Sequence, residues 1–400
     1  MSGFFAPRLG RIKHSPSNAA GQMVRELRAQ GRDIIGLTIG EPDFATPDHV
    51  KRAAAEAMAR NETRYTTVDG TEELKEAIRA KFERENGLQY ARGEVTVASG
   101  AKQIIFNAMM ATLSPGDEVV IPVPAWVSYL DMTLVADGAP KAVKCSEANG
   151  FKVTPAQLDA AITPQTKWLM LNSPSNPTGA VYSGAELRAL ADVLLRHSHV
   201  WVLSDDIYEH LLFDDREYAT IAQIEPALRS RTLTVNGVSK VYAMTGWRIG
   251  YAGGPAELIR NMAKLQSQST SNPCSISQAA ALEALTGPQE FVRERALELQ
   301  QRRDVVVSML NEARGLACST PGGAFYVFPN CAGVLGKKTP DGKTLENEGD
   351  FAQYLVTNGV AGIQGEAYGV TPYIRFSFAT DIETLKEGCR RVQRACAALS

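Results

Sequence analysis

The chain has 400 residues, 44% of them hydrophobic and 7% aromatic, with a formal net charge of −2. That apolar share is enough for a large core divided between two units. The near-zero charge excludes an overall attraction to nucleic acid or to an anionic membrane, so anion recognition must rest on individual Arg and Lys side chains.

The segment Met1-Ser-Gly-Phe-Phe-Ala-Pro-Arg8 has no apolar leader, and no run approaches the roughly 20 apolar residues of a membrane span. Six cysteines (Cys145, Cys274, Cys318, Cys331, Cys389, Cys396) lack paired metal-ligand spacing. This pattern predicts buried free thiols, no metal site and a cytoplasmic location.

A basic arm, Arg8 to Lys13, precedes a helical pattern with Met23, Val24 and Leu27 on one face. A short strand over 33–39 runs into the turn Gly40-Glu-Pro-Asp-Phe44. Thr46-Pro47 opens a helix to about Arg60, and a second helix spans Glu72 to Asn86 and stops at Gly87. From Glu94 onward short apolar strands alternate with amphipathic helices: Glu94–Ala98, Glu118–Pro122, Lys141–Cys145, Lys167–Leu171, Val200–Ser204, Thr232–Val235 and Arg248–Ala252. The alternation predicts an α/β fold with a mainly parallel seven-stranded sheet flanked by helices. Capping boxes at Thr154–Gln157, Ser183–Glu186 and Thr380–Glu383 mark helix starts. A long helix from Pro288 to Asn311 leads into a smaller α+β domain with strands at Ala324–Phe328 and Tyr373–Phe378.

Ligands of such sheets lie beyond the carboxyl ends of the strands. One end carries Ser99-Gly100-Ala101-Lys102 at a helix start, where free amides and the positive end of the helix dipole suit a phosphate. Arg248 stands where it can complete that site. Other ends carry Trp126, Asn176 and Asp205-Asp206-Ile207-Tyr208. Of the two aspartates, which end a very apolar strand, one is expected to turn inward and to need a positively charged partner. Lys240 follows the next strand among Val238, Val241, Tyr242 and Met244, which favours a neutral, nucleophilic amine. Singly, each residue has an ordinary reading as cap, core or surface group. Jointly they suit a phosphorylated cofactor with a ring nitrogen to keep protonated, a phenolic oxygen and an aldehyde, which is pyridoxal 5'-phosphate. Arg375, in the apolar strand Ile374-Arg-Phe376, calls for a planar anion or a structural ion pair.

Through Gly40–Phe44, Ser173-Pro-Ser-Asn176-Pro-Thr-Gly179, Asp205–Tyr208, Ser239-Lys240 and Thr245-Gly-Trp-Arg248-Ile-Gly, the chain resembles the class I, fold-type-I aminotransferases, in particular the bacterial aspartate and aspartate/prephenate subgroup. The resemblance implies an N-terminal arm and part of the small domain in residues 1–48, a large cofactor domain in 49–295 and a small C-terminal domain in 296–400. It implies that Lys240 binds the cofactor aldehyde, Asp205 pairs with the ring nitrogen, and Tyr208 and Asn176 contact the ring oxygen. Trp126 is implied to stack on the ring, while Arg248 and the amides of Gly100, Ala101 and Lys102 hold the phosphate. Tyr65 is implied to reach the phosphate of a neighbouring subunit in a homodimer with shared active sites. For the amino acid and 2-oxo acid substrates, the resemblance points to Arg375 for the α-carboxylate, Gly40 beside the substrate and Lys13 for a distal carboxylate.

Aspartate and 2-oxoglutarate are the expected pair, with glutamate and prephenate as further possibilities. Two departures bear on this: His14 where the subgroup has Pro, and Ala125 where it has a bulky aromatic, a change expected to widen the pocket. The alternatives are an aromatic or broad-specificity aminotransferase, a lyase on the same fold, and a non-catalytic cofactor-binding regulator. The last carries a helix-turn-helix domain before the fold, and only about forty residues precede Gly40 here.

Overall fold

The computed structural model describes residues 3–14 and 16–400. Its strands in chain order are β1 (Ile35–Gly36), β2 (Val95–Ala98), β3 (Glu118–Val123), β4 (Ala139–Lys144), β5 (Thr166–Asn172), β6 (Trp201–Asp205), β7 (Thr232–Gly237), β8 (Gly250–Gly253), β9 (Tyr326–Val327), β10 (Val360–Ala361), β11 (Ile363–Gln364) and β12 (Ile374–Ser377). The helices are α1 (Pro16–Ala29), α2 (Asp48–Ala59), α3 (Glu72–Asn86), α4 (Ala101–Thr112), α5 (Ser128–Val135), α6 (Pro155–Ala161), α7 (Gly184–Arg196), α8 (Ile221–Ile224), α9 (Ala256–Ser267), α10 (Ser275–Thr286), α11 (Glu290–Asn311), α12 (Glu348–Thr357) and α13 (Ile382–Ala397).

Seven strands form one sheet in the order β2-β8-β7-β6-β5-β3-β4, parallel except for β8, which runs antiparallel to both neighbours. Its inner strands bury both faces, while the edge strand β4 is partly exposed. In β3, Val119, Ile121 and Val123 join the core made with α4, α5 and α9, while Val120 joins the one made with α6 and α7. The two-residue period of a strand produces that division, and helices on both faces are what a parallel sheet requires.

A second, smaller sheet has the order β11-β12-β9, and β1 pairs in parallel with β10. This pairing draws the segment after β1, with Thr38 and Gly40, toward the C-terminal elements. The long helix α11 runs through position 296 without interruption.

Local signals set many boundaries. Helix α3 ends where Gly87 takes the left-handed φ of 63°, and Thr154 and Ser183 close capping boxes at α6 and α7. The box expected at Thr380 is shifted: Asp381 is the cap, its carboxylate accepting from the Thr384 amide, so α13 starts one residue later. Arg248 lies outside the strand expected there. Its φ of 58° is left-handed, and β8 begins only at Gly250. Five cysteines are buried and free, whereas Cys274 is exposed. Among the described residues no helix is long and apolar enough to cross a membrane.

Candidate active site

The carboxyl ends of β5, β6 and β7 open onto a cavity of 360 Å³. Of the residues singled out from sequence, Gly40, Ala101, Lys102, Trp126, Asn176, Asp205, Tyr208, Lys240, Arg248 and Arg375 all line it. Gly100 stands immediately behind: a Cβ there would collide with the Arg248 guanidinium, whose Cζ would lie 2.9 Å away. Tyr65 does not line the cavity. It is 90% exposed and borders a separate groove with Arg64, Thr66 and Gln278. Lys13 also lies outside, exposed on the arm, which Arg8 and Arg11 tie to Asp137 after α5.

Lys240 Nζ donates to the Gly40 carbonyl at 2.7 Å. Burial draws its amine down to about 8; the Asp205 carboxylate opposes the shift and Arg375 adds to it. Asp205, at the end of β6, is 4% exposed and accepts a hydrogen bond of 2.5 Å from Tyr129. Burial pushes its carboxyl up to about 6, against the pull of that bond and of Lys240. Its other oxygen, Oδ1, is buried without a hydrogen-bond partner among the described residues. Only one aspartate was expected inside, yet Asp206 is also buried, accepting 2.6 Å from Ser204 on the far side of the strand. That hydroxyl, rather than a cation, meets Oδ1, while Oδ2 has no hydrogen-bond partner among the described residues and burial pushes the carboxyl up to about 7.

At one end of the cavity α4 is preceded by Gly100, which has no side chain to cap the helix amides. Arg248 is exposed there, its Nη1 donating 2.8 Å to Thr245 O. At the other end Arg375 is 2% exposed. Its Nη1 donates to Asn176 Oδ1 (3.0 Å) and its Nη2 to Thr38 O (2.6 Å), while Nε is unpartnered among the described residues. No carboxylate pairs with it among them, so a buried guanidinium faces the cavity uncompensated.

Three further residues belong to this arrangement. Asn172 donates to the Asp205 carbonyl (2.8 Å) and accepts from the Asn176 amide (2.9 Å), locking two strand ends together. Tyr129 and Tyr326 bring buried hydroxyls to Asp205 and Tyr208. Asn172 directly precedes the motif that begins at Ser173, whereas the sequence around the two tyrosines carries no sign of their partners. Ala125 corrects an expectation: it does not line the cavity but backs a separate void of 20 Å³ with Phe151, Met170 and Tyr182. A small residue there does not widen the site.

An unpartnered buried carboxylate oxygen, an uncapped helix start crossed by an arginine and a lysine amine that burial draws down to about 8 together fit pyridoxal 5'-phosphate. The carboxylate oxygen would accept from its ring N–H, the helix amides and the arginine would donate to its phosphate, and the amine would meet its aldehyde. Residues 32–392 match the family of class I and II aminotransferases. The chain belongs to that family and is a pyridoxal-phosphate-dependent transaminase.

It is 58% identical over 398 residues to the aspartate/prephenate aminotransferase of Cereibacter sphaeroides, covering 99% of this chain and 100% of that protein. The crystal structure of the aspartate aminotransferase from Rhizobium meliloti superposes with a TM-score of 0.97 at 55% identity, over 100% of both chains. That of the Thermus thermophilus aspartate aminotransferase with maleate gives 0.91 at 42% identity, over 98% of this chain and 99% of the other.

Proposed function

We propose that the protein transfers the amino group of L-aspartate to 2-oxoglutarate in ping-pong order, with glutamate and prephenate as further partners. The observation that carries this reading is Arg375, buried without a carboxylate partner among the described residues, in one cavity with Lys240 and Asp205.

When bound, the cofactor supplies an electrophilic carbonyl and an electron sink. The chain does the rest. Asp205 would hold the ring nitrogen's proton, and Tyr208 and Asn176 would meet the ring oxygen. Trp126 would stack on the ring, while Gly100, Ala101, Lys102 and Arg248 would hold the phosphate. Arg375 grips the α-carboxylate as a fork, which orients the Cα–H, and Gly40 leaves room beside it. Lys240 Nζ would take the Cα proton and deliver it to the cofactor's carbonyl-derived carbon, two atoms away across the nitrogen, acting in turn as base and acid. An amine with a pKa near working pH suits both roles.

The distal carboxylate of aspartate needs a second cation. We assign Lys13 to it, carried by the arm. The side chain of Lys102 supports a second reading: its Nζ lies 4.8 Å from the Trp126 ring centre on the cavity wall, without a carboxylate partner among the described residues. We further propose a cytoplasmic homodimer with shared sites, in which Tyr65 reaches the neighbouring subunit's phosphate. An exposed tyrosine beside Arg64 and six unpaired thiols support this.

The test is a donor screen against 2-oxoglutarate with aspartate, arogenate, tyrosine and phenylalanine. Aspartate should be fastest. A preference for aromatic donors would refute the assignment, and ammonia release without a 2-oxo acid acceptor would indicate a lyase instead. Lys240→Ala should abolish both turnover and the visible absorption of the bound cofactor.

A further inference from the structure

Tyr326 belongs to β9 of the smaller sheet, yet it lines the cavity formed at the ends of the large one. It is 1% exposed, and its hydroxyl shares a 2.9 Å hydrogen bond with that of Tyr208. The Arg375 guanidinium lies 4.5 Å from its ring centre. A Cβ at position 40 would stand 2.5 Å from the same hydroxyl, and it is the Gly40 carbonyl that receives Lys240 Nζ. One phenol therefore touches the carboxylate-binding arginine, the phenol assigned to the cofactor ring oxygen and the glycine against which the lysine rests.

We propose that Tyr326 is a positioning residue that acts through Tyr208. When Tyr208 turns its proton toward the cofactor ring oxygen, the Tyr326 hydroxyl donates to the Tyr208 oxygen. The inference rests on the role given to Tyr208 above. A hydroxyl that accepts a hydrogen bond becomes a stronger donor, because linked hydrogen bonds polarise one another in a dry site. The strengthened Tyr208 bond stabilises negative charge on the ring oxygen and so lowers the pH at which the bound chromophore loses its proton. Packing alone makes a different claim: the ring contacts with Arg375, and with Phe325 at 4.7 Å, survive replacement by phenylalanine.

The experiment is a pH titration of the visible absorption of the holoenzyme in four forms: unsubstituted, Tyr326→Phe, Tyr208→Phe and the double variant. Tyr326→Phe should raise the midpoint by about half to one pH unit, the worth of one hydrogen bond. Tyr208→Phe should raise it further, and adding Tyr326→Phe to Tyr208→Phe should then change nothing. An unchanged midpoint in Tyr326→Phe overturns the proposal, as does a shift of equal size in the Tyr208→Phe background, since the residue would then act independently. Absence of any visible band from the unsubstituted protein would instead refute the cofactor contacts themselves, and the relay with them.

Discussion

Stripped of its cofactor, the protein should present at Lys240 an amine that titrates near pH 8 instead of the ordinary 10.5. The cavity withdraws water from the ammonium, and the Arg375 charge disfavours it further; the Asp205 carboxylate offsets only part of this. That lowering corresponds to about 3 kcal/mol between the two protonation states. At pH 7 about one amine in eleven is then neutral, against about one in three thousand for an ordinary lysine. Trace acetylation read by mass spectrometry across neutral and alkaline pH measures this directly, with an unstructured lysine peptide as standard. A Lys240 midpoint that coincides with that of the peptide would refute the reasoning. The sign has its own control: Asp205→Asn removes the charge that favours the ammonium, so the midpoint should fall further, and a rise would contradict the electrostatics. Linkage requires the same sign. The unfolded chain holds this proton more tightly than the folded one between about pH 8 and 10.5, so the Lys240 contribution makes cofactor-free protein more stable as pH rises through that window.

Lys102→Met and Lys13→Ala separate the two assignments of the distal cation: whichever residue meets that carboxylate should depress aspartate turnover tenfold or more, on the order of the 1.5–3 kcal/mol of a charged hydrogen bond, with phenylalanine turnover unchanged. Behind Tyr208, the fully buried Lys81 ammonium pairs with Glu209 and Glu85, while Glu209 also accepts from Asn86 (2.7 Å) and Asn236 (2.6 Å). Lys81→Met leaves that carboxylate uncompensated and should cost about 3–5 kcal/mol in denaturant unfolding; a loss near zero would mean that the pair contributes nothing net. Ala125→Phe overfills the small void and should cost about 1–3 kcal/mol. The ratio of aspartate to phenylalanine activity should stay constant, and a changed ratio would place Ala125 in the substrate pocket after all.

Much of the fold was legible because it rests on short-range rules. The alternation of Val119, Val120 and Ile121 separates the two faces of β3, and capping pairs such as Thr154 with Gln157 act within one turn. The errors arose where two local solutions compete or where a distant contact decides. Thr380 and Asp381 can each cap α13, and the carboxylate, the stronger acceptor for the helix amides, takes the position. Arg248 has strand-like neighbours, but its left-handed backbone belongs to a loop in which the guanidinium reaches Thr245 O and lies over Gly100. Ala125 and Trp126 are adjacent in sequence and border different spaces, so a statement about one does not carry to the other.

The site divides along the same line. Residues at strand ends, Asn176, Asp205, Tyr208 and Lys240, were accessible through topology, since an open α/β sheet presents its ligands there. Arg375 and Tyr326 come from the smaller sheet and obey no such rule. Arg375 still stood out, because a charge in an apolar strand violates its surroundings and demands a partner. Tyr326 did not, because a tyrosine between Phe325 and Val327 is what any buried strand contains, and its partner lies 118 residues away in sequence. A group whose chemistry depends on a neutral hydroxyl rather than a charge leaves no mark on composition or pattern. The phenols Tyr129 and Tyr326, one on the Asp205 carboxylate and the other on Tyr208, are therefore the parts of this site that only the folded chain reveals.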